Sequence, residues 1–327
     1  MMQISPETQL FIREHSSDDV RVLALQAKKY PDIDMPTAIT QIAGRKVAAE
    51  KIPSWWEIEK IWYPKHLSLE QCSSEITARY KARLLQGDSL TDLTGGFGID
   101  CSFLATGFKS ATYVERQEEL CEIAAHNFPV LNLNHINIKN EDGVTYLQAM
   151  SPVDCLFLDP ARRNEHGGKT VAISDCEPNV AELEELLLQK ANRVMIKLSP
   201  MLDLSLALKE LKQTQEVHIL SVNNECKELL ILLGQTSPTE ISIHCVNLST
   251  KGTQEEQHFV FTREQEQCSE CTYTDSLETY LYEPNASLLK AGAFRSIAAA
   301  YPVRKLHPNS HLYTSDTFIE NFPGRIS

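Results

Sequence analysis

Residues 92–100 read Asp-Leu-Thr-Gly-Gly-Phe-Gly-Ile-Asp and connect a short apolar run to an amphipathic segment. Closely spaced glycines at such a junction let the backbone turn tightly and approach a ligand, because no Cβ stands in the way. A glycine-rich turn is weak evidence by itself, since purely structural turns use the same residues. The segment nevertheless predicts a nucleotide-type site at the end of the first strand of the core.

Acidic residues at the ends of the next two apolar runs strengthen this prediction. Glu115 ends ATYVE, 23 residues after Asp92, where a carboxylate can accept both hydroxyls of an adenosine ribose. Glu141-Asp142-Gly143 follow the run HINIKN. Ligands of open parallel sheets bind outside the carboxyl ends of the strands, so we expect three acids along one edge.

These carboxylates also discriminate between cofactors. The pyrophosphate of a nicotinamide or flavin dinucleotide would be repelled by a carboxylate on the turn, whereas a sulfonium and an amino-acid ammonium would be attracted. The sequence therefore favours S-adenosylmethionine, with Gln71, Ser73 and Ser74 expected near its methionine end. The residues predicted to bind this cofactor are Gln71, Ser74, Asp92, Thr94, Gly95, Gly96, Phe97, Gly98, Asp100, Glu115, Arg116, Asp142, Gly143 and Asp159.

A second group of chemically capable residues follows the apolar run DCLFL. The chain continues Asp159-Pro160-Ala161-Arg162-Arg163, and the strand directs Asp159 towards the predicted cleft. Paired arginines can bind a phosphate or carboxylate through bidentate hydrogen bonds. The alternative is a proline turn with two solvated arginines. We predict a catalytic group that consists of Asp159, Pro160, Arg162 and Arg163.

The elements that must position these residues follow from the hydrophobic pattern. From residue 89, short apolar runs alternate with amphipathic segments of about ten residues. Such alternation indicates crossover connections and a mainly parallel sheet with helices on both faces. The seven predicted strands are SLTDL, ATYVE, HINIKN, DCLFLD, RVMIKL, EVHILSV and ELLILL. The last two lie close together and predict a terminal antiparallel hairpin, so the expected fold is α/β with a Rossmann-like, seven-stranded core.

Changes in the hydrophobic pattern, together with the positions of prolines and glycines, predict four segments. Residues 1–86 have helical spacing interrupted by prolines, and residues 87–235 hold the alternating core. Residues 236–279 predict a small, acidic, β-rich domain, and residues 280–327 a small α+β module of strand followed by helix. The chain ends on NFPGRIS without an element that could cap a sheet, so we expect this last segment to be truncated.

Longer motifs resemble a known family. LSLEQCSSEITARYKA (67–82), NECKELL (224–230), YEPNASLLKAGAF (282–294) and HPNSHLYTSD (307–316) accompany the turn, the acids and LDPARR. Together they resemble bacterial class I S-adenosylmethionine-dependent methyltransferases with a C-terminal THUMP-like domain, some of which carry a ferredoxin-like insert. The resemblance spans nearly the whole chain. It implies a ferredoxin-like 236–279, a THUMP-like 280–327 and action on RNA, with tRNA as one substrate class, since THUMP domains are associated with RNA binding.

The sequence departs from two established methylation motifs. Enzymes that methylate exocyclic base amines usually carry Asn/Asp-Pro-Pro-aromatic after the fourth strand, but this chain has Asp-Pro-Ala-Arg. Enzymes that methylate a pyrimidine carbon need a nucleophilic cysteine, and VMIKLSPMLD offers Ser199 instead. The methylated atom stays open. Two alternatives also remain: methylation of a protein or small molecule, and a non-catalytic RNA module that binds the cofactor.

Charge and composition narrow the class of partner. The formal net charge is −13, which excludes a broadly basic surface for nucleic acid and favours the protein or small-molecule alternative. Residues 290–327 are locally basic, however, and could meet a polyanion.

Cysteine usage and hydropathy predict a cytoplasmic protein without a membrane span. The nine cysteines are scattered and mostly lie in apolar runs, as expected of free thiols in a reducing compartment. The N-terminus lacks the pattern of a secretory signal. Cys268 and Cys271 have the spacing of metal ligands, but no second pair or neighbouring histidine completes a site, so no metal is predicted.

Overall fold

A computed structural model describes residues 4–162, 172–236, 238–250 and 256–327 of the chain. These residues divide into two compact units, Met1–Phe157 and Leu158–Ser327. Among the described residues, no helix is both long enough and apolar enough to cross a membrane.

The first unit begins with helices and continues with alternating strands and helices. Its helices are α1 (Pro6–Glu14), α2 (Val20–Leu25), α3 (Met35–Lys51), α4 (Pro53–Trp56), α5 (His66–Gln71), α6 (Glu75–Ala82), α7 (Ile99–Ala105), α8 (Glu118–Val130) and α9 (Gly143–Ala149), with a 3₁₀ turn at Ala27–Lys29. Its strands are β1 (Ser89–Asp92), β2 (Ser110–Glu115), β3 (Ile136–Asn140) and β4 (Val153–Leu158).

The strands of the first unit form a parallel sheet in the order β4-β1-β2-β3. Asp92 at the end of β1 pairs with Tyr113 of β2 and with Phe157 of β4. The carboxyl ends of these strands consequently lie along one edge. This arrangement confirms the α/β prediction for the core.

The N-terminal helices share a hydrophobic core with the glycine-turn region. Ala48, Ile52 and Trp55 belong to one buried cluster with Phe97 and Ile99. A separate cluster packs α1, α2 and α3 together around Phe11, Leu23, Met35, Ala38 and Ile42. The predicted helical character of the N-terminal segment is confirmed, and part of its apolar surface is buried against the α/β core.

The second unit contains two sheets. Its strands are β5 (Ala161–Arg162), β6 (Cys176–Glu177), β7 (Ala191–Leu198), β8 (Thr214–Val222), β9 (Glu225–Gly234), β10 (Ser242–Leu248), β11 (Glu256–Thr262), β12 (Tyr280–Pro284), β13 (Arg304–Lys305), β14 (Tyr313–Ser315) and β15 (Gly324–Ile326). Its helices are α10 (Val180–Lys190), α11 (Leu204–Glu210), α12 (Arg263–Cys268), α13 (Ala286–Ala291) and α14 (Phe294–Ala300), with a 3₁₀ turn at Ile173–Asp175.

The larger sheet of this unit has the order β11-β10-β8-β9-β7. Strand β9 is antiparallel to both β7 and β8, which confirms the predicted terminal hairpin. Asn223 and Asn224 form its two-residue turn with φ of 50° and 65°. Asparagine tolerates this left-handed conformation better than most residues, and such turns match the twist of the flanking strands.

Residues 236–279 differ from the expected separate β-rich domain. The two predicted strands are present as β10 and β11, but β10 pairs parallel with β8 over seven residues, from Ser242 to Leu248. Strand β11 then pairs antiparallel with β10. These two strands therefore extend the sheet that the β8–β9 hairpin begins, and β11 instead of β8 forms its edge.

The C-terminal residues form a small α+β module, as predicted. Four short antiparallel strands pair in the order β13-β14-β12-β15, and α13 and α14 lie between β12 and β13 in the chain. Buried Tyr282, Tyr313 and Phe322 supply its aromatic core. The Glu266 carboxylate caps α14 by accepting hydrogen bonds from the amides of Phe294 and Ser296 at 3.0 and 2.8 Å.

Candidate functional site

The glycine turn of the first unit is held by its own hydrogen bonds. The Asp92 carboxylate, at the buried end of β1, accepts from the Thr94 amide at 2.9 Å. The Gly95 amide donates to the Val114 carbonyl at 2.8 Å, and the Gly98 amide donates to the Gly95 carbonyl at 2.9 Å. The backbone therefore leaves β1, crosses the end of β2 and enters α7.

The glycines of this turn meet different requirements. A Cβ on Gly95 would lie 2.3 Å from the Tyr113 ring, so only glycine fits there. Gly96 has φ of +53°, and Thr94 O, at 3.8 Å, is the only described atom within 4 Å of the place its Cβ would take, neighbouring residues apart. Gly98, with φ of +87°, precedes α7. The turn is therefore packed tightly against Tyr113 at Gly95, whereas the space next to Gly96 is open.

Glu115 connects the turn to the end of β2. Its Oε2 accepts from the Gly96 amide at 2.9 Å and its Oε1 from the Gln117 amide at 2.8 Å. A carboxylate offers about four acceptor positions, so Glu115 can accept further hydrogen bonds from a ligand diol. Buried Tyr113 donates to the Gly96 carbonyl at 2.5 Å, and burial raises the pKa of this phenol well above its usual value, which keeps it a donor.

Asp142 lies at the end of β3, as predicted. It caps α9: its Oδ1 accepts from the amides of Val144 and Thr145, both at 3.0 Å. A Cβ on Gly143 would lie only 2.2 Å from the Leu93 carbonyl oxygen, so the start of α9 packs directly against the end of β1. The structure therefore brings Asp92, Glu115 and Asp142 to the same edge of the sheet.

Asp100 was predicted to bind cofactor, but its carboxylate contacts protein groups. Its Oδ1 pairs with the Lys81 ammonium at 2.9 Å, and its Oδ2 accepts from the Ser73 hydroxyl at 2.7 Å. Lys81 also donates to Ser73 at 2.9 Å and is fully buried. This buried triad joins α6 to α7 next to the turn. Sequence reasoning missed Lys81, because it is one of three basic residues in ITARYKARLL and the local pattern does not distinguish it from the other two.

The remaining predicted cofactor residues are distributed around the turn. The Phe97 ring is buried, with its centroid 5.2 Å from that of a Trp55 ring, so this side chain belongs to the hydrophobic core. Gln71 is exposed at the end of α5, and the Ser74 hydroxyl lies 3.3 Å from that of Thr77. Arg116 is exposed, directly after Glu115.

The second unit holds the other predicted group. The Asp159 Oδ2 lies 2.5 Å from the Lys197 ammonium; the Lys197 side chain is 11% exposed and that of Asp159 is 36% exposed. Pro160 is buried. The backbone of Arg162 pairs with Cys176, and Arg163 lies outside the described residues. Sequence reasoning missed Lys197, whose signal is one ammonium group within the apolar strand RVMIKL.

Most of the basic side chains near the C-terminus make contacts within the protein. Lys290 donates to the Leu202 carbonyl at 2.7 Å and Lys305 to the Pro308 carbonyl at 2.8 Å. Arg304 pairs with Glu278. These contacts attach the three side chains to the protein, and the Glu278 carboxylate compensates the charge of Arg304.

Fold and site together define a Rossmann-like α/β protein whose glycine turn meets carboxylates at the strand ends. A solved structure from Porphyromonas gingivalis W83, described as that of a candidate methyltransferase, is 34% identical in sequence, with a TM-score of 0.86. The match covers 100% of this chain and 82% of that one. The chain belongs to this methyltransferase family, which confirms the resemblance inferred from the sequence. A family model described as a ferredoxin-like domain matches residues 280–323.

The ferredoxin-like description thus falls on the C-terminal module, whereas the sequence resemblance had assigned it to residues 236–279. More distant structures include an rRNA methylase from Streptococcus thermophilus (14% identity, 49% of this chain and 93% of that one, TM-score 0.35). Another is a Streptococcus mutans protein, described as a candidate methyltransferase in complex with SAH (13% identity, 49% and 96%, TM-score 0.35). At this similarity neither informs the chemistry of this chain. No curated protein matches the sequence.

Proposed function

We propose that this methyltransferase uses S-adenosylmethionine and acts on RNA, with a tRNA or rRNA base as the acceptor. The observation that carries the cofactor assignment is the hydrogen bond from the Gly96 amide, in the middle of the glycine turn, to the Glu115 carboxylate. Glu115 can accept hydrogen bonds from a ribose diol, and the adjacent turn leaves space for a ligand at Gly96. The chain that carries this arrangement belongs to a methyltransferase family.

The residues of this edge fit S-adenosylmethionine better than a dinucleotide. Asp92, Glu115 and Asp142 place negative charge around the turn, which favours a cationic ligand and opposes a pyrophosphate. Glu115 would accept from the ribose hydroxyls, Asp142 would accept a hydrogen bond from the adenine edge, and the 94–98 backbone would line the remainder. When bound, S-adenosylmethionine supplies an electrophilic methyl group on its sulfonium.

Asp159 is the group we assign to the acceptor. It follows the last residue of β4 directly, at the carboxyl end of that strand. Its carboxylate would accept a hydrogen bond from the attacking nitrogen and orient its lone pair. Lys197 is a positioning residue that fixes this carboxylate by its ammonium. Because the methyl donor is already reactive, the protein contributes mainly alignment and exclusion of water.

The RNA assignment is supported by the sequence resemblance to methyltransferases with a THUMP-like domain. Arg162 or Arg163 would position substrate phosphate, as bidentate donors do in other nucleic-acid sites. We expect a cytoplasmic location, because the nine cysteines are scattered and mostly lie in apolar runs, as is typical of proteins in a reducing compartment. The second candidate is methylation of a protein or small molecule. It is favoured by the net charge of −13 and by the internal contacts of Lys290, Arg304 and Lys305.

The test is transfer of labelled methyl from S-adenosylmethionine to separated RNA, protein and small-molecule fractions of a strain that lacks the gene. We expect label in RNA from the wild-type protein and none from Glu115→Ala. Glu118→Ala is the matched control, since this exposed glutamate in the first turn of α8 should leave transfer unchanged.

The outcomes separate the candidates. Label only in protein or small molecules would overturn the RNA assignment and retain the cofactor site. Equal transfer by wild type and Glu115→Ala would overturn the cofactor site. If the protein binds S-adenosylmethionine but transfers no label to any fraction, the enzyme assignment is overturned in favour of a non-catalytic RNA module that binds the cofactor.

A further inference from the structure

Four side chains of types that can ligate metals, Glu216, His218, His244 and His258, lie together on one face of the larger sheet of the second unit. Glu216 and His218 are two residues apart on β8, so both point to the same face. His218 pairs directly with His244 of the parallel strand β10. His258 of β11 pairs with Val246, two residues from His244, and so shares that face. The sequence predicted no metal site, because these residues are brought together only by strand pairing.

The distances within this group are those of a coordination site. One ligand atom from each of Glu216, His218 and His244 lies within 4.8 Å of the others. The Glu216 Oε2 and His218 Nε2 are 3.2 Å apart. Ligands that bind Zn²⁺ tetrahedrally at about 2.0–2.1 Å stand roughly 3.3 Å from one another, which the Glu216–His218 pair already matches. The rings of His218 and His244 are stacked with their centroids 4.3 Å apart, so binding of one ion by both requires these rings to rotate.

His244 uses its two ring nitrogens differently. Its Nδ1 lies 3.1 Å from the Nε2 of His258, and its Nε2 lies 3.2 Å from the hydroxyl of Ser242. Ser242 is the strand partner of Glu216, so Nε2 is the nitrogen on the Glu216 side. Metal-bound histidines usually donate their other ring nitrogen to a neighbour that fixes the ring, and His258 occupies this place.

Arg193 is the positive group closest to this site. Its Nη2 donates to the Glu216 Oε1 at 2.7 Å, while Oε2 faces His218. The arginine therefore contacts the oxygen that is turned away from His218. Ligating carboxylates are commonly held by such outer hydrogen bonds, so Arg193 orients Glu216 as a monodentate ligand.

We propose that Glu216, His218 and His244 form a binding site for a divalent transition-metal ion of the zinc class. Two histidines and one glutamate are a known zinc ligand set, with one further position for water. The ion would join β8 to β10 and so fasten the strands that extend the sheet beyond the hairpin. His258 would orient His244 without binding the metal.

The test is titration of the metal-depleted full-length protein with Zn²⁺ alone, followed by calorimetry. We expect one saturable equivalent in the wild type. His218→Gln and His244→Gln should weaken binding by more than the roughly 10–100-fold that loss of an outer partner costs, and His258→Gln should fall within that range. His307→Gln changes an exposed histidine and is the matched control.

Two further measurements keep the result unambiguous. Each variant is melted without metal, so that a folding defect is distinguished from loss of a ligand. Co²⁺ in place of Zn²⁺ should give the visible absorption of a tetrahedral site in the wild type and lose it in His218→Gln. Absence of saturable Zn²⁺ binding, or equal binding by the well-folded His218→Gln and His307→Gln variants, would overturn the proposal.

Discussion

Lys81→Met is expected to destabilise the first unit far more than an equivalent change at the surface. The Lys81 ammonium is 0% exposed and pairs with Asp100, 11% exposed, at 2.9 Å. Lys109 pairs with Asp88 at the same distance of 2.9 Å, but these side chains are 79% and 70% exposed. The two ion pairs thus differ in burial at the same separation, which makes Lys109→Met a matched control.

The expected magnitudes follow from this difference in solvation. Removing one partner of a buried pair leaves an uncompensated charge and costs about 3–5 kcal/mol. Removing one partner of an exposed pair costs about 0–1 kcal/mol. Lys81→Met also removes a donor to Ser73. We therefore expect the two Lys→Met variants to differ by at least about 2 kcal/mol in the free energy of unfolding.

Denaturant-induced unfolding, monitored by tryptophan fluorescence, measures this difference in the first structural unit. The three tryptophans are Trp55, Trp56 and Trp62, all within the first unit, and Trp55 packs against Phe97 of the turn. The double variant Lys81→Met/Asp100→Leu should recover most of the loss, because the stranded carboxylate is gone. Equal free energies for Lys81→Met and Lys109→Met would refute the reasoning.

Three further predictions concern the turn, the sheet and the substrate group. Gly96→Ala should lower the free energy of unfolding by about 1–2 kcal/mol, because of its positive φ alone. Gly95→Ala should lower it by about 3 kcal/mol or more, because the added Cβ would meet the Tyr113 ring. Denaturant unfolding of both variants tests this order. Hydrogen bonds from backbone amides at the start of β1 lower the pKa of Asp154 in the folded protein. Its carboxylate should therefore stabilise the fold above the ordinary pKa of 3.8, and this stabilisation should be lost as the pH falls below that value. If the free energy of unfolding of Asp154→Asn changes with pH in the same way as that of the wild type, the prediction is contradicted. Lys197→Met should lower kcat by roughly 10²-fold, because Asp159 would be misplaced. The KM for S-adenosylmethionine should not change, and Lys197→Arg should restore part of the activity. If Lys197→Met lowers only the stability of the protein, Lys197 has a purely structural role.

Local pattern was sufficient for much of the fold. The seven core strands were predicted from short apolar runs, and the turn between β1 and α7 from its glycines. These features depend on neighbouring residues, because a strand needs its own apolar face and a tight turn its own glycines. The clustering of Asp92, Glu115 and Asp142 was also predictable, since parallel strands end at one edge.

Partners distant in the chain were not predictable in the same way. Asp100 carries no local indication that it pairs with buried Lys81 instead of facing a ligand. Asp159 likewise gives no indication of Lys197, which lies 38 residues further along the chain. A charged side chain in an apolar segment shows that a partner must exist, but only packing decides which one.

The sequence by itself determined the class of fold, the position of the glycine turn and the acids that follow each strand, because periodicity and turn chemistry act over a few residues. Only the tertiary structure decided that β10 and β11 continue the main sheet of the second unit, and that Glu216, His218 and His244 meet on its face. The physical reason is that strand pairing joins backbone groups regardless of their separation in the chain, so the register between strands places side chains that no local pattern connects.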